Sequence, residues 1–136
     1  MKVFIDTSAF YALADSGDRN HEAGTRKYME LLDRKIKMVL TDHVLAECAT
    51  LIRRRLGYIA SERFLHLIEK SETIGTFQIV FVEEALLNSA KKIFSEMADS
   101  KLSLVDALSL ATMRKMAIRQ YFAFDDHFNQ AGFEPA

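Results

Sequence analysis

Residues 3–8 read Val3-Phe4-Ile5-Asp6-Thr7-Ser8, and the order of these six side chains decides the architecture. Three apolar, β-favouring residues make a short buried strand, while Asp-Thr-Ser supplies side chains that begin helices. The stretch predicts a strand running straight into a helix, with an acid at the junction. The same alternation continues outward along the chain. Helical patterning follows over residues 8–15 and 20–34, the second opening at Asn20, and Lys37–Thr41 is a second strand. Asp42 is expected to cap a helix that stops at Gly57. A further helix is expected over Ser61–Ser71, a third strand over Thr76–Val82, and helices over Glu83–Met97 and Ser103–Ala117. Tyr121–Phe124 reads as a fourth strand, and a short fifth is placed near Phe133.

Strands separated by helices need crossover connections, so the expected fold is α/β, with a short, mainly parallel sheet flanked by helices. The strands are mostly apolar, as strands covered on both faces should be. In such sheets the ligand crevice lies beyond the carboxyl ends of the strands. That rule gives weight to Asp6, directly after the first strand, and to Asp125, directly after the fourth.

Composition narrows the function. The 136 residues fit a single domain spanning 1–136, and 49% hydrophobic with 27% charged residues is the balance of a globular chain. Cys48 is the one cysteine, which excludes an intramolecular disulfide framework and a Cys-rich zinc site. It is expected to be a packed thiol in a reducing cytoplasm. No apolar run is long enough to span a bilayer, and the opening MKVFID does not read as a signal peptide, so no membrane association or secretion is expected. Net charge is −1, from 18 bases and 19 acids. Setting four acids aside in one site leaves 15 acids against 18 bases, an acidic pocket within a mildly basic shell.

Two further acids stand out on helical wheels, at about 100° per residue. In DHVLAECATLIRRRLG, Glu47 falls about 40° from Leu51, at the margin of the apolar arc. In SLVDALSLATMRKMA, apolar residues surround the helix almost completely, so the helix is expected to be buried. Asp106 is the single charged residue between Leu102 and Met113. Each acid taken alone has a plain structural reading. Asp6 and Asp106 could cap helices, Glu47 could be a solvated edge residue, and Asp125 with Asp126 could form a polar turn. Taken together, four carboxylates in one pocket would repel strongly without a cation. An oxygen-only set suits a hard divalent ion such as Mg²⁺ or Mn²⁺.

The pieces FIDTSAF, TDHVLAE, LSLVDALSLA and FAFDDHF, in this order and spacing, resemble a PIN-domain ribonuclease. Within that family the chain is most similar to the VapC toxins of prokaryotic toxin–antitoxin pairs. The resemblance runs from Lys2 to about Phe133. It implies a PIN-like three-layer fold and a metal-dependent endoribonuclease. Asp6, Glu47, Asp106 and Asp125 would be the catalytic and metal-holding acids, binding one or two Mg²⁺ or Mn²⁺ ions directly or through water. Thr7 or Ser8 matches the supporting hydroxyl position. Asp42 departs from the usual Ser or Thr before the glutamate helix, and Asp126 adds a second acid beside Asp125, which is favoured because it directly follows the strand. The resemblance further implies an RNA substrate (tRNA or rRNA), a cognate antitoxin protein and a homodimer. The antitoxin groove is expected around Phe10–Leu13 and Ala49–Leu56.

Other chemistries fit less well. His21, His43, His66 and His127 show no paired ligand spacing, though His127 lies two residues beyond Asp125. There is no Gly-rich phosphate loop. Aspartyl-phosphate phosphatases need a second Asp two residues after the first, where this chain has Ser8. A receiver-type domain would end a late strand with lysine, where this chain has Phe124-Asp125. The basic run Arg53-Arg54-Arg55 is either a solvated helix end or an RNA-contacting edge. A catalytically inactive binding module and a housekeeping RNA-processing nuclease remain the alternatives.

Overall fold

The computed structural model describes residues 1–98 and 100–136. Its elements run β1 (Lys2–Ile5), α1 (Thr7–Ala14), α2 (His21–Asp33), β2 (Lys37–Thr41), α3 (Asp42–Leu56) and α4 (Tyr58–Thr73). They continue through β3 (Phe77–Val80), α5 (Glu84–Glu96), α6 (Leu104–Lys115), β4 (Gln120–Phe122), α7 (His127–Gln130) and β5 (Glu134–Pro135). The strands form one sheet in the order β3-β2-β1-β4-β5, and every pairing is parallel. Val3, Phe4 and Ile5 are all buried, as are Met38 through Thr41. Alternate strand residues point to opposite faces, so unbroken burial means that helices cover both. The expected three-layer α/β architecture is the one observed.

Central β1 delivers Asp6 to the carboxyl edge of the sheet. β4 beside it delivers the segment carrying Asp125. That strand stops at Phe122, two residues before the expected end. The Phe122 carbonyl accepts the Asp6 N–H at 3.1 Å, and the Phe124 N–H then turns to the Ser8 hydroxyl at 2.9 Å. Asp125 therefore sits on a short loop tied to the start of α1. The loop ends in α7, whose single turn is too short to leave a helical period in the sequence. Phe128 anchors it in the core, fully buried, with ring centroids 6.0 Å from Phe4 and 4.9 Å from Tyr121.

Two local expectations are corrected. Thr41, not Asp42, caps α3, its Oγ1 accepting the Val44 N–H at 3.1 Å. Asp42 instead accepts the Val82 N–H at 3.1 Å, joining the exit of β3 to the start of α3. Finally, α4 begins at Tyr58 rather than Ser61. Gly57 alone makes the break, at φ +96°, a backbone conformation that side chains disfavour.

Helix α6 is buried from Ala107 through Met113, as its all-round apolar pattern requires. Its N-terminus opens at the same sheet edge as Asp6. Among the described residues no helix is long and apolar enough to cross a membrane.

Candidate active site

Three of the four expected acids meet. Asp6, Asp106 and Asp125 each place a carboxylate oxygen within 4.8 Å of the others. They arrive from three elements: the end of β1, the first turn of α6 and the loop after β4. Asp6 is the deepest, at 3% exposure, while Asp106 and Asp125 are half-buried.

The capping reading of Asp6 does not hold. The residue occupies the N-cap position of α1, but its side chain makes no capping hydrogen bond. Its Oδ2 accepts from the Ser8 hydroxyl at 3.4 Å, whereas its buried Oδ1 has no partner among the described residues. Burial pushes the Asp6 carboxyl well above the usual carboxylate range, and the charges of Asp125 and Asp106 push it further. Burial likewise raises Asp125, with the charge of Asp106 adding to it and His127 opposing.

Asp106 serves both readings at once. Its Oδ2 accepts the Ser103 N–H at 3.0 Å, and Ser103 Oγ accepts the Asp106 N–H at 3.0 Å, a complete capping box. That exchange holds one carboxylate oxygen against the backbone and leaves Oδ1 free of the hydrogen bonds seen among the described residues. Asp125 is held in a similar way, its Oδ1 accepting the His127 N–H at 3.3 Å. Asp126, by contrast, is exposed and outside the trio. Of the two adjacent acids, Asp125 is thus the one that joins the trio, although β4 stops earlier than expected.

Glu47 is not brought into the trio. It stands exposed on α3, lining an open groove of 640 Å³ with Asp42, His43, Thr50, Arg54 and Val105. Its neighbour Cys48 is fully buried, and its thiol is pushed upward by burial first, then by the charges of Asp6 and Glu47. The two acids thus flank Cys48, one in the core and one on the rim. Cys48 is the packed thiol that its place in the apolar arc requires.

The two candidate hydroxyls separate. Ser8 bridges Asp6 and the Phe124 amide, coupling β1 to the loop of Asp125. Thr7 Oγ1 is buried without a partner among the described residues. In the sequence His127 stands out only by its nearness to Asp125. Its Nε2 lies 3.5 Å from Asp106 Oδ2, and its Nδ1 is buried without a partner among the described residues.

Of the three arginines, Arg53 lies over the Tyr58 ring at 4.9 Å and Arg55 over Tyr11 at 5.1 Å. Arg54 alone lines the groove beside Glu47.

The donor set fits a hard divalent cation. Three carboxylates share one pocket without Cys ligands, and a buried, unpartnered Asp6 oxygen faces the cost of burial that a cation would remove.

A PIN domain profile matches residues 3–134. The chain is similar to the 23S rRNA-specific endonuclease VapC20 of two Mycobacterium tuberculosis strains, CDC 1551 / Oshkosh and ATCC 25618 / H37Rv. In both cases identity is 35% over 135 residues, covering 96% of this chain and 95% of the relative. It also resembles the crystal structure of M. tuberculosis VapC20, described as a sarcin–ricin loop cleaving toxin. There the TM-score is 0.84 and identity 31%, over 98% of each chain.

Proposed function

This chain belongs to the PIN-domain family, and from that premise we propose that it is a divalent-metal-dependent endoribonuclease acting as a toxin. The observation that carries the proposal is the meeting of Asp6, Asp106 and Asp125 around a buried, unpartnered carboxylate oxygen. Asp6, Asp106 and Asp125 would hold Mg²⁺ or Mn²⁺. Glu47 would join from the rim of α3, where contact through water suits a side chain outside the trio. When bound, the cation would supply Lewis-acid chemistry, making a water acidic enough to attack and balancing charge that grows on the phosphate.

The chain's own residues organise the rest. Ser8 fixes the rotamer of Asp6, the Ser103 amide fixes Asp106, and the His127 amide fixes Asp125. Each acid is therefore oriented before substrate arrives, which lowers the reorganisation required during reaction. The proposed substrate is structured ribosomal RNA, by similarity to the mycobacterial relatives, in the cytoplasm.

A cognate antitoxin and a homodimer complete the proposal. Apolar surface is available for both, with Tyr58, Ile59, Leu67, Ile74 and Phe81 exposed. The apolar cleft suited to an antitoxin segment has a volume of 270 Å³ and is lined by Phe10, Leu13, Tyr28, Phe64, Leu67 and Phe77. Phe10 and Leu13 of the expected Phe10–Leu13 wall line it, together with Phe64 and Leu67 of α4, while no residue of Ala49–Leu56 does.

The test is cleavage of ribosomal RNA by purified protein in Mn²⁺, Mg²⁺ or EDTA, with the Asp106→Asn protein in parallel. Cutting that needs the metal and disappears in the variant is expected. Equal cutting by the variant would remove Asp106 from the mechanism, and no cutting by antitoxin-free protein would favour the inactive binding module.

His127 supplies an independent check on the pocket. His127→Leu removes the ring nitrogen beside Asp106 and is expected to weaken Mn²⁺ binding about ten-fold, as loss of a group supporting a metal ligand typically does. Calorimetric titration reads this directly. His127→Gln, which keeps a donor of similar reach, should recover most of the affinity.

A further inference from the structure

Two open grooves reach the acid trio or its border. One, of 640 Å³, runs along α3 past Glu47 and touches Val105, the residue before Asp106. The other, of 720 Å³, is lined by Asp125, Asp126, His127 and Glu96, with Lys101 as its one Lys or Arg. Each groove reaches a member of the trio or its immediate neighbour, and each carries a cation: Arg54 in the first, Lys101 in the second.

Resting on the reading of the chain as an RNA-cutting enzyme, we propose that a single RNA strand crosses the trio from one groove to the other. Its phosphates are held by Arg54 on one side and Lys101 on the other.

The helix geometry of α3 selects Arg54 from the basic run. Seven residues separate it from Glu47, which returns it to within about 20° of the same face and about 10 Å further along the axis. His43, Glu47, Thr50 and Arg54 accordingly form one polar stripe. Arg53 and Arg55 diverge from it by about 100° to either side. Both are occupied within the fold, over Tyr58 and over Tyr11, whose hydroxyl in turn donates to Asp15 at 2.7 Å. Arg54 and Lys101 make no ion pair with any described residue.

Charge balance explains why such residues are needed. Three carboxylates with one divalent ion leave a net negative site, so a polyanionic strand drawn across it is held better where a cation stands on either flank. Contacts to phosphate position the strand without reading its sequence. Base selection would come from elsewhere on the surface.

The experiment measures binding of a fluorescent single-stranded RNA of about 12 nucleotides, a length within the usual site size. Anisotropy is followed across a salt series with Ca²⁺ as the divalent ion, and gel electrophoresis checks that the RNA stays intact. Removing one phosphate-neutralising side chain should reduce the log–log salt slope for a single strand by about 0.7. Arg54→Ala and Lys101→Ala are each expected to show that reduction, and the double variant about twice as much. Arg53→Ala and Arg55→Ala should keep the wild-type slope. Unchanged slopes in Arg54→Ala and Lys101→Ala would overturn the proposal, as would equal reductions in the Arg53 and Arg55 variants. A reduction at one flank alone would overturn the crossing path, because a strand lying over the trio must meet both cations. If the wild type cuts ribosomal RNA in Mn²⁺ yet these slopes do not move, the path fails and the nuclease reading stands. A wild type that neither binds the RNA nor cuts would overturn both.

Discussion

Asp6→Asn is expected to reduce RNA cleavage by at least about a thousand-fold, roughly 4 kcal/mol of transition-state stabilisation, while making the metal-free protein more stable. Both halves follow from one environment. Asp6 is buried with an unpartnered Oδ1, and it faces Asp106 and Asp125 across less than 4.8 Å. Without a cation, a negative charge there is opposed by desolvation and by its neighbours. Asparagine keeps the shape and removes the charge, so the metal-free fold gains while the divalent site loses its deepest ligand. Multiple-turnover cleavage in Mn²⁺ and thermal melting in EDTA measure the two effects separately. A variant that cleaved at the wild-type rate would exclude Asp6 from the metal site. One that lost activity and also melted earlier would mean that Asp6 supports the fold instead.

The second large effect is the reversal of pH dependence by metal. The folded-state pKa values of Asp6 and Asp125 are both raised, so the native state holds their protons more tightly than the unfolded chain does. By linkage, their penalty is fully present above the folded values. It fades as pH falls and is gone below the unfolded value of about 3.9. The metal-free protein should therefore gain stability from these two groups as pH drops from neutrality toward 4. A divalent cation requires the ionised carboxylates, so it should oppose that trend and stabilise most near neutral pH. At a hundred times its dissociation constant the cation adds about 2.7 kcal/mol, a rise of roughly 10 °C in the melting midpoint for a chain of this size. Melting curves at several pH values, with Mn²⁺ and with EDTA, give the comparison. Parallel curves with and without metal would show that the trio does not bind the ion. In Asp6→Asn both the acid-side gain and the metal-induced rise should shrink.

Legibility in the sequence depends on how local each feature is. Val3-Phe4-Ile5-Asp6 is readable because a strand and the start of a helix are set by adjacent residues. The parallel sheet follows, since helices between successive strands leave few other connections. Asp106 is readable as exceptional, a lone charge on an apolar helix. Its actual arrangement, one oxygen in a capping box and the residue within the trio, needs the position of Ser103 against the sheet edge. The end of β4 is not legible, because it is decided by the Ser8 hydroxyl, 116 residues away in sequence.

The amino-acid order alone thus determined the α/β class, the helix–strand succession apart from the single turn of α7, and the placing of Asp6 and Asp125 at the carboxyl edge. Those features come from hydrophobic periodicity and from side chains that begin or end helices, both of which act over a few residues. The tertiary structure alone decided that Asp6, Asp106 and Asp125 converge while Glu47 stays on the rim. It likewise decided that Arg54, but not Arg53 or Arg55, faces the groove. Those outcomes depend on how α3 and α6 are rotated about their axes against the sheet. Packing of Cys48, Ile52 and the buried face of α6 sets that rotation, through contacts between residues far apart in the chain.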